Sequence, residues 1–197
     1  MASTDTRDAI TLSCTPEKQG DTIVFAYSLT NGGTATAYAS DAGTRIDSKA
    51  RTASADPDEA TVWLAPDRYA TVLKGVAAAP PDSDVPFTVM PLMVALAPGA
   101  RIERSLTLTL PLAEQSPYYG VGELREYRLV EIEGMTLAID VFARVPPGFA
   151  PRPVAFAPEH VDIGVRGTLP LLTRLSCRFP ARGLQMMVRT GPYPRPD

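Results

Sequence analysis

In the segment SLTLTLPL (Ser105–Leu112) every second residue is leucine. Successive side chains of an extended chain point to opposite faces, so Leu106, Leu108, Leu110 and Leu112 share one side and Ser105, Thr107, Thr109 and Pro111 the other. A helix would scatter the same leucines around its circumference. The pattern recurs in TIVFAYSLTNGGTATAYA (Thr22–Ala39), where Ile23, Phe25, Tyr27 and Leu29 precede Asn31-Gly32-Gly33, and Ala35, Ala37 and Ala39 follow it. Asn-Gly suits a tight turn between paired strands. It suits equally an arch from one sheet to another, and both readings stand at this level.

Alternation also marks Ile10, Leu12 and Cys14, then ATVWLA (Ala60–Ala65) and YATVLKGVAA (Tyr69–Ala78) around a Pro66-Asp67-Arg68 turn, which predicts a hairpin. PFTVMPLMVAL (Pro86–Leu96) is apolar but contains Pro91, which fits an edge strand or a bulge. Glu133-Gly134 divides ELREYRLVEIEGMTLAIDVFARV into a second expected hairpin, with Leu137, Ile139, Val141 and Ala143 on one face of its second arm. The last strands are expected near Thr168–Cys177 and Leu184–Val188. Asp41–Ala60 is polar and reads as a long surface loop. No stretch favours a helix over the two-residue period.

Many short strands separated by turns define an all-β fold of sandwich or barrel type. The expectation is a single immunoglobulin-like two-sheet β-sandwich over residues 1–197, with long loops and extra edge strands, since a minimal immunoglobulin domain needs only about 100 residues. The proline-rich stretch 146–158 is expected to be a loop and 190–197 a flexible tail. The 20 prolines, about twice the average share, make this a folded chain with many enforced breaks. The Asn31-Gly32-Gly33 break and LAPGARIERSLTLTLPL (Leu96–Leu112) resemble general features of bacterial immunoglobulin-like domains. That resemblance implies a sandwich and carries no function with it.

The search for reaction chemistry returns little. No glycine-rich phosphate loop, zinc-protease helix motif or nucleophile elbow is present. The single histidine, His160, excludes any site built on several imidazoles and reads as a surface loop residue beside Glu159 and Asp162. Asp56, Asp58 and Glu59 lack the spacing of an EF-hand loop. Glu131 and Glu133, two apart on one expected strand face, would lie about 7 Å from each other, as would alternate glutamates on any wetted strand. Cys14 and Cys177 sit on core-facing positions of the outermost strands and read as buried thiols, or as a cross-link between those strands. No cofactor or metal is expected, and no enzymatic activity.

Binding is the remaining class. Arginine outnumbers lysine 16 to 3, and six of the arginines fall in the last 35 residues against one acid. Arg174, Arg178, Arg182 and Arg189 are therefore candidates for contact with an acidic partner surface, against the alternative of solvated strand faces. Tyr118 and Tyr119, in an inter-strand loop, are candidates for contact with a partner or a sugar ring, or for a structural tyrosine corner. Trp63 reads as core. The acidic balance, net charge −3, and the absence of a nucleic-acid-binding motif argue against nucleic acid. No apolar run reaches the length of a membrane span. With no leader in MASTDTRDAITL the chain is expected to be soluble and cytoplasmic, or secreted or periplasmic if a signal peptide has been removed. The sequence thus predicts a non-catalytic protein-interaction or accessory sandwich with an unidentified protein partner. The alternatives are a carbohydrate- or small-ligand-binding sandwich and an enzyme of unfamiliar type.

Overall fold

Alternation becomes strand pairing in the structure, a computed structural model that describes residues 2–79, 88–118, 126–145, 150–164 and 171–190. Tyr119, Glu123, Arg166, Tyr193 and Arg195 lie outside the described residues, as do parts of the proline-rich stretch and most of the tail. Sixteen β-strands and no α-helix occur among the described residues.

β1 (Ser3–Arg7), β2 (Ile10–Gln19), β3 (Thr22–Asn31) and β9 (Arg101–Thr109) form a four-stranded sheet in the order β1-β2-β3-β9. All its pairings are antiparallel. Ile10, Leu12, Ile23, Phe25, Leu29, Leu106 and Leu108 bury one face of it. The second sheet centres on β12 (Gly134–Phe142), which pairs antiparallel with β15 (Leu172–Pro180) along its whole length. Its other side pairs first in parallel with β7 (Tyr69–Lys74), and then, at Val141 and Phe142, with β4 (Ala37–Asp47). β6 (Thr61–Leu64) closes one end on β7 as the Pro66-Asp67 turn predicts. β8 (Leu92–Leu96), β14 (Ala157–Asp162) and β13 (Arg152–Val154) extend the sheet beyond β4.

The two sheets share one apolar cluster that joins Leu12, Phe25 and Leu106 to Val72, Leu137, Val141 and Leu175. Phe25 and Phe179 meet across it with ring centroids 6.2 Å apart. The two sheets, the first antiparallel and the second mixed, each bury one face, which is the sandwich solution to half-apolar strands. A smaller sheet of β10 (Leu112–Ala113), β16 (Gln185–Arg189) and β11 (Tyr127–Glu131) adds Leu112, Met186 and Val188 to the same cluster.

Asn31-Gly32-Gly33 is the arch rather than the hairpin turn, since β3 and β4 belong to different sheets. Asn31, 1% exposed, holds it. Its amide donates to the Ala35 and Leu96 carbonyls at 2.9 and 2.8 Å, and its side-chain oxygen accepts from Gly33 N at 2.9 Å.

Five expectations are corrected. Asp41–Ala60 is mostly not a loop: β4 runs to Asp47 and pairs antiparallel with β5 (Thr52–Asp56), a polar hairpin with little apolar alternation to announce it. Glu133-Gly134 does not turn a hairpin. β11 pairs with β16 and β12 with β15, so the two strand pairs form one ribbon bent at a corner, where Ile132 N donates to Leu184 O and Ala181 N to Glu133 O. Glu131 and Glu133 therefore flank that corner instead of sharing a strand face. Pro91 precedes β8 rather than interrupting it, and β8 is an interior strand between β14 and β4. Trp63 is half-buried and points away from the side that Val62 and Leu64 bury.

Leu137 is fully buried and Ile46 is 74% exposed. Urea unfolding is expected to show a loss of about 2–5 kcal/mol for Leu137→Ala, through the cavity it leaves. For Ile46→Ala the change stays under about 0.5 kcal/mol.

Candidate functional site

The inner faces of the two sheets carry polar residues in core positions, on β3 short of the strand's end, since Leu29 beyond Tyr27 is again buried. On β3 and β9 the phase of Phe25 and Leu106 continues to Tyr27 and Arg104, which stand directly opposite one another. On β7 the series Ala70, Val72 ends at Lys74, and on β4 the series Ala37, Ala39 ends at Asp41. β14 contributes His160 beside Val94 of β8. One end of the core is therefore a polar layer built of residues in core positions.

A β-bulge places the carboxylate at its centre. Ser40 pairs with Met93 and Ala42 with Leu92, so Asp41 is an extra residue with no ladder partner of its own. Bulges bend a strand and re-aim a side chain, and they recur beside functional sites. Past the bulge, β4 leaves β8 at Pro91 and turns to β5.

Asp41 is buried and accepts from Arg104 Nε at 3.0 Å. His160 Nε2 stands 2.9 Å from its other oxygen. An ionised carboxylate only accepts, so Nε2 carries the proton and donates. His160 is thus no surface residue. It is 3% exposed on a strand, and its Nδ1 is buried with no hydrogen-bond partner among the described residues. Arg104 reaches out as far as Glu159, 3.8 Å away.

Lys74 lies between the sheets at 3% exposure. Its Nζ donates to the Pro57 carbonyl at 2.6 Å and stands 5.9 Å from the centre of the Tyr27 ring. Among the described residues no carboxylate is within ion-pair distance of it. Burial pushes the amine down to about 8, against the pull of Asp41 and Asp58. Burial likewise drives the Tyr27 hydroxyl far above its usual range, helped by Asp41.

A cleft of about 500 Å³ borders this layer, and Asp41 and Lys74 are among its lining residues. The β4–β5 hairpin and the turn after it supply Arg45, Asp56, Asp58 and Glu59 to the lining, to which Met90, Pro91 and Gln115 also belong. Two of these carboxylates are engaged within the fold. Asp56 pairs with Arg45. Asp58 accepts from Thr107 N at 2.8 Å, an amide on the outer edge of β9. Glu59 lies against Gly43, where a Cβ would sit 1.9 Å from its Oε2, so only glycine admits it. Partial withdrawal from water, then the charge of Asp56, raises the Glu59 carboxyl above its usual range.

The end of β7 is fixed from behind. Asp140, 1% exposed, accepts two hydrogen bonds from Arg174, at 2.7 and 2.9 Å, and one from Val76 N at 2.9 Å. It fills the space a side chain at Gly75 would need, its Oδ2 lying 2.3 Å from the built Cβ. Arg174 thus positions the residue next to Lys74.

The other expected contact residues lie elsewhere. Arg178 stacks 3.5 Å above the Tyr69 ring and pairs with Asp67 at 2.6 Å. Arg182 is exposed in the turn after β15, and Arg189 is half-buried on β16. Tyr118 is half-buried, its hydroxyl accepting from Val89 N at 3.1 Å and donating to Ala77 O at 3.4 Å. Tyr119 lies outside the described residues. Cys14 and Cys177 are buried free thiols, and Cys177 Sγ donates to Ser3 O at 3.2 Å. Among the described residues, no group of acidic, histidine or cysteine side chains is arranged to hold a metal, and no helix is long and apolar enough to cross a membrane.

Comparisons with protein-family models, with curated proteins and with solved structures find no match, so the cleft is read from its own geometry.

Two outcomes follow from the polar layer. Asp41→Asn strips the charge that Arg104 faces in the core and is expected to cost about 3 kcal/mol in urea unfolding. Lys74→Met fills the same space without a buried ammonium and stabilises the protein by about 1–3 kcal/mol at neutral pH. That gain depends on pH in a defined direction. Folded Lys74 titrates near 8, whereas an unfolded lysine titrates near 10.4, roughly. Between those values the unfolded chain holds more protons, so wild-type stability gains on the variant as pH rises. The difference between the two proteins shrinks from about pH 8 to about pH 10. Contributions from Cys14 and Tyr27, raised in both proteins, cancel in it.

Proposed function

We propose that this protein is a non-catalytic binding module whose cleft, between the β4–β5 hairpin and the polar end of the core, receives a small polar ligand such as a carbohydrate. The observation that carries the reading is the cleft itself. Its volume of about 500 Å³ falls within the range of small-molecule sites, roughly 300–1,000 Å³. Charged and polar groups converge on it, with Leu73, Val89, Met90 and Pro91 as its apolar part, so the lining suits a polar ligand better than an apolar one. Gln115, Thr44, Thr61 and Ser116 add neutral hydrogen-bonding groups that suit a hydroxyl-rich ligand.

A non-catalytic role is supported by the engagement of two of the cleft's carboxylates within the fold. Asp41 is held by Arg104 and His160, and Asp58 by the edge of β9. A protein-interaction role through the basic C-terminal stretch has less support, because Arg174 and Arg178 already face Asp140 and Asp67. The same reading takes residues 1–197 as one immunoglobulin-like domain. The shared apolar cluster and the arch at Asn31 favour it; the parallel β7–β12 pair is a departure from that fold's antiparallel plan.

The test is a panel of monosaccharides, amino sugars and polyols screened by saturation-transfer NMR against the wild type and Glu59→Gln. At least one member is expected to bind and to lose about tenfold in affinity, 1.4 kcal/mol, in the variant. A panel with no binder, or a binder indifferent to the cleft substitution, overturns the reading.

A further inference from the structure

Lys74 is one of three lysines in the chain. Lys18 and Lys49 are exposed, whereas Lys74 occupies an inward position of β7 and lines the cleft. A buried ammonium without a carboxylate partner is an expensive group to keep, and the Pro57 carbonyl satisfies only one of its three hydrogens. Methionine or leucine would fill the position at less cost. The fold nevertheless fixes it with care: the Asp140–Arg174 pair and the missing side chain at Gly75 lock the turn just past it.

We propose that Lys74 is a covalent attachment point, forming a reversible imine with a small uncharged aldehyde, an open-chain sugar included, that enters the cleft. The inference deepens the small-ligand reading and rests on it. The lone pair of Nζ adds to the carbonyl carbon. The π electrons of the carbonyl move to its oxygen, which takes up a proton while nitrogen gives one up, leaving a carbinolamine. Protonation of that hydroxyl by a carboxylic acid releases it as water, the nitrogen lone pair closes the C=N bond as an iminium, and the iminium N–H proton returns to the carboxylate to leave the imine. One amine and one aldehyde give one imine and one water, with no oxidant or reductant. Glu59, which lines the same cleft, is the proton donor for water loss, its carboxyl keeping a proton to higher pH than an ordinary glutamate. The amine is itself poised for addition, because a desolvated lysine holds a larger neutral fraction near neutrality than an exposed one. An acidic cleft favours an uncharged carbonyl compound over a keto acid.

The test uses wild-type protein, propionaldehyde and sodium cyanoborohydride at pH 8, with alkylation at each lysine followed by peptide mass spectrometry. Lys18 and Lys49 serve as references within the same molecule. Lys74 is expected to be alkylated about tenfold faster than either. Its rate levels off above about pH 8 while theirs continues to climb toward about pH 10. Equal or slower labelling at Lys74, or a profile that climbs with the other two, overturns the inference. If Lys74 is unreactive yet the sugar panel still binds and responds to Glu59→Gln, only the covalent step fails. If neither reaction nor binding occurs, the cleft reading fails with it.

Discussion

A carboxylate between two sheets, Asp41 held by Arg104 from one side and His160 from another, is the interaction on which the polar layer of the core depends. It joins β9 of the four-stranded sheet to β4 and β14 of the larger one, where apolar contact has given out. Coulomb attraction in such a setting is strong, but so is the loss of hydration, and the two nearly offset. The arrangement therefore contributes position more than stability. Asp41 and Lys74 of this layer also line the cleft.

Much of the fold was legible. Where one strand face is buried and the other wet, alternation is complete, and β2, β3, β6, β7, β9 and the core face of β12 are readable from it. It fails for β1, β5, β13 and β14, whose sequences STDTR, TASAD, RPV and APEHVD bury few apolar side chains. β1 and β13 lie at sheet edges, β5 pairs only with β4, and β14 lies between β13 and β8, so backbone pairing holds them with little hydrophobic signature. Which strands pair with which was equally out of reach. The ribbon of β11–β12 with β15–β16 joins residues far apart along the chain, and a glycine at its corner looks locally like a hairpin turn.

The candidate site was almost invisible for a related reason. Asp41, Lys74 and Arg104 stand in phase with neighbouring apolar positions, as in Ala37-x-Ala39-x-Asp41 and Arg104-x-Leu106-x-Leu108. A charge that extends an apolar phase is the available signal, and attention to motifs and charge runs passes over it. The arginine-rich stretch pointed the other way. Arg174 and Arg178 each lie across from an acid on the adjoining strand or turn, so a local excess of base is balanced by acids distant in the sequence. Their work is scaffolding: Arg174 braces the turn behind Lys74, and Arg178 covers the ring of Tyr69.

The arch at Asn31 has a consequence for the lifetime of the molecule. It is the single asparagine of the chain and is followed by glycine, the pairing in which the next backbone nitrogen most readily attacks the side-chain amide and expels ammonia. Folding blocks that attack, because Gly32 N is bound to the Ala9 carbonyl at 2.8 Å and the amide is fastened to two carbonyls. The damage can proceed only while the arch is open. A resulting aspartate would turn a negative oxygen toward those two carbonyls and hinder closure. Each excursion from the native state thus risks leaving a permanent chemical record at one position, and the molecules that carry it are the ones least able to return.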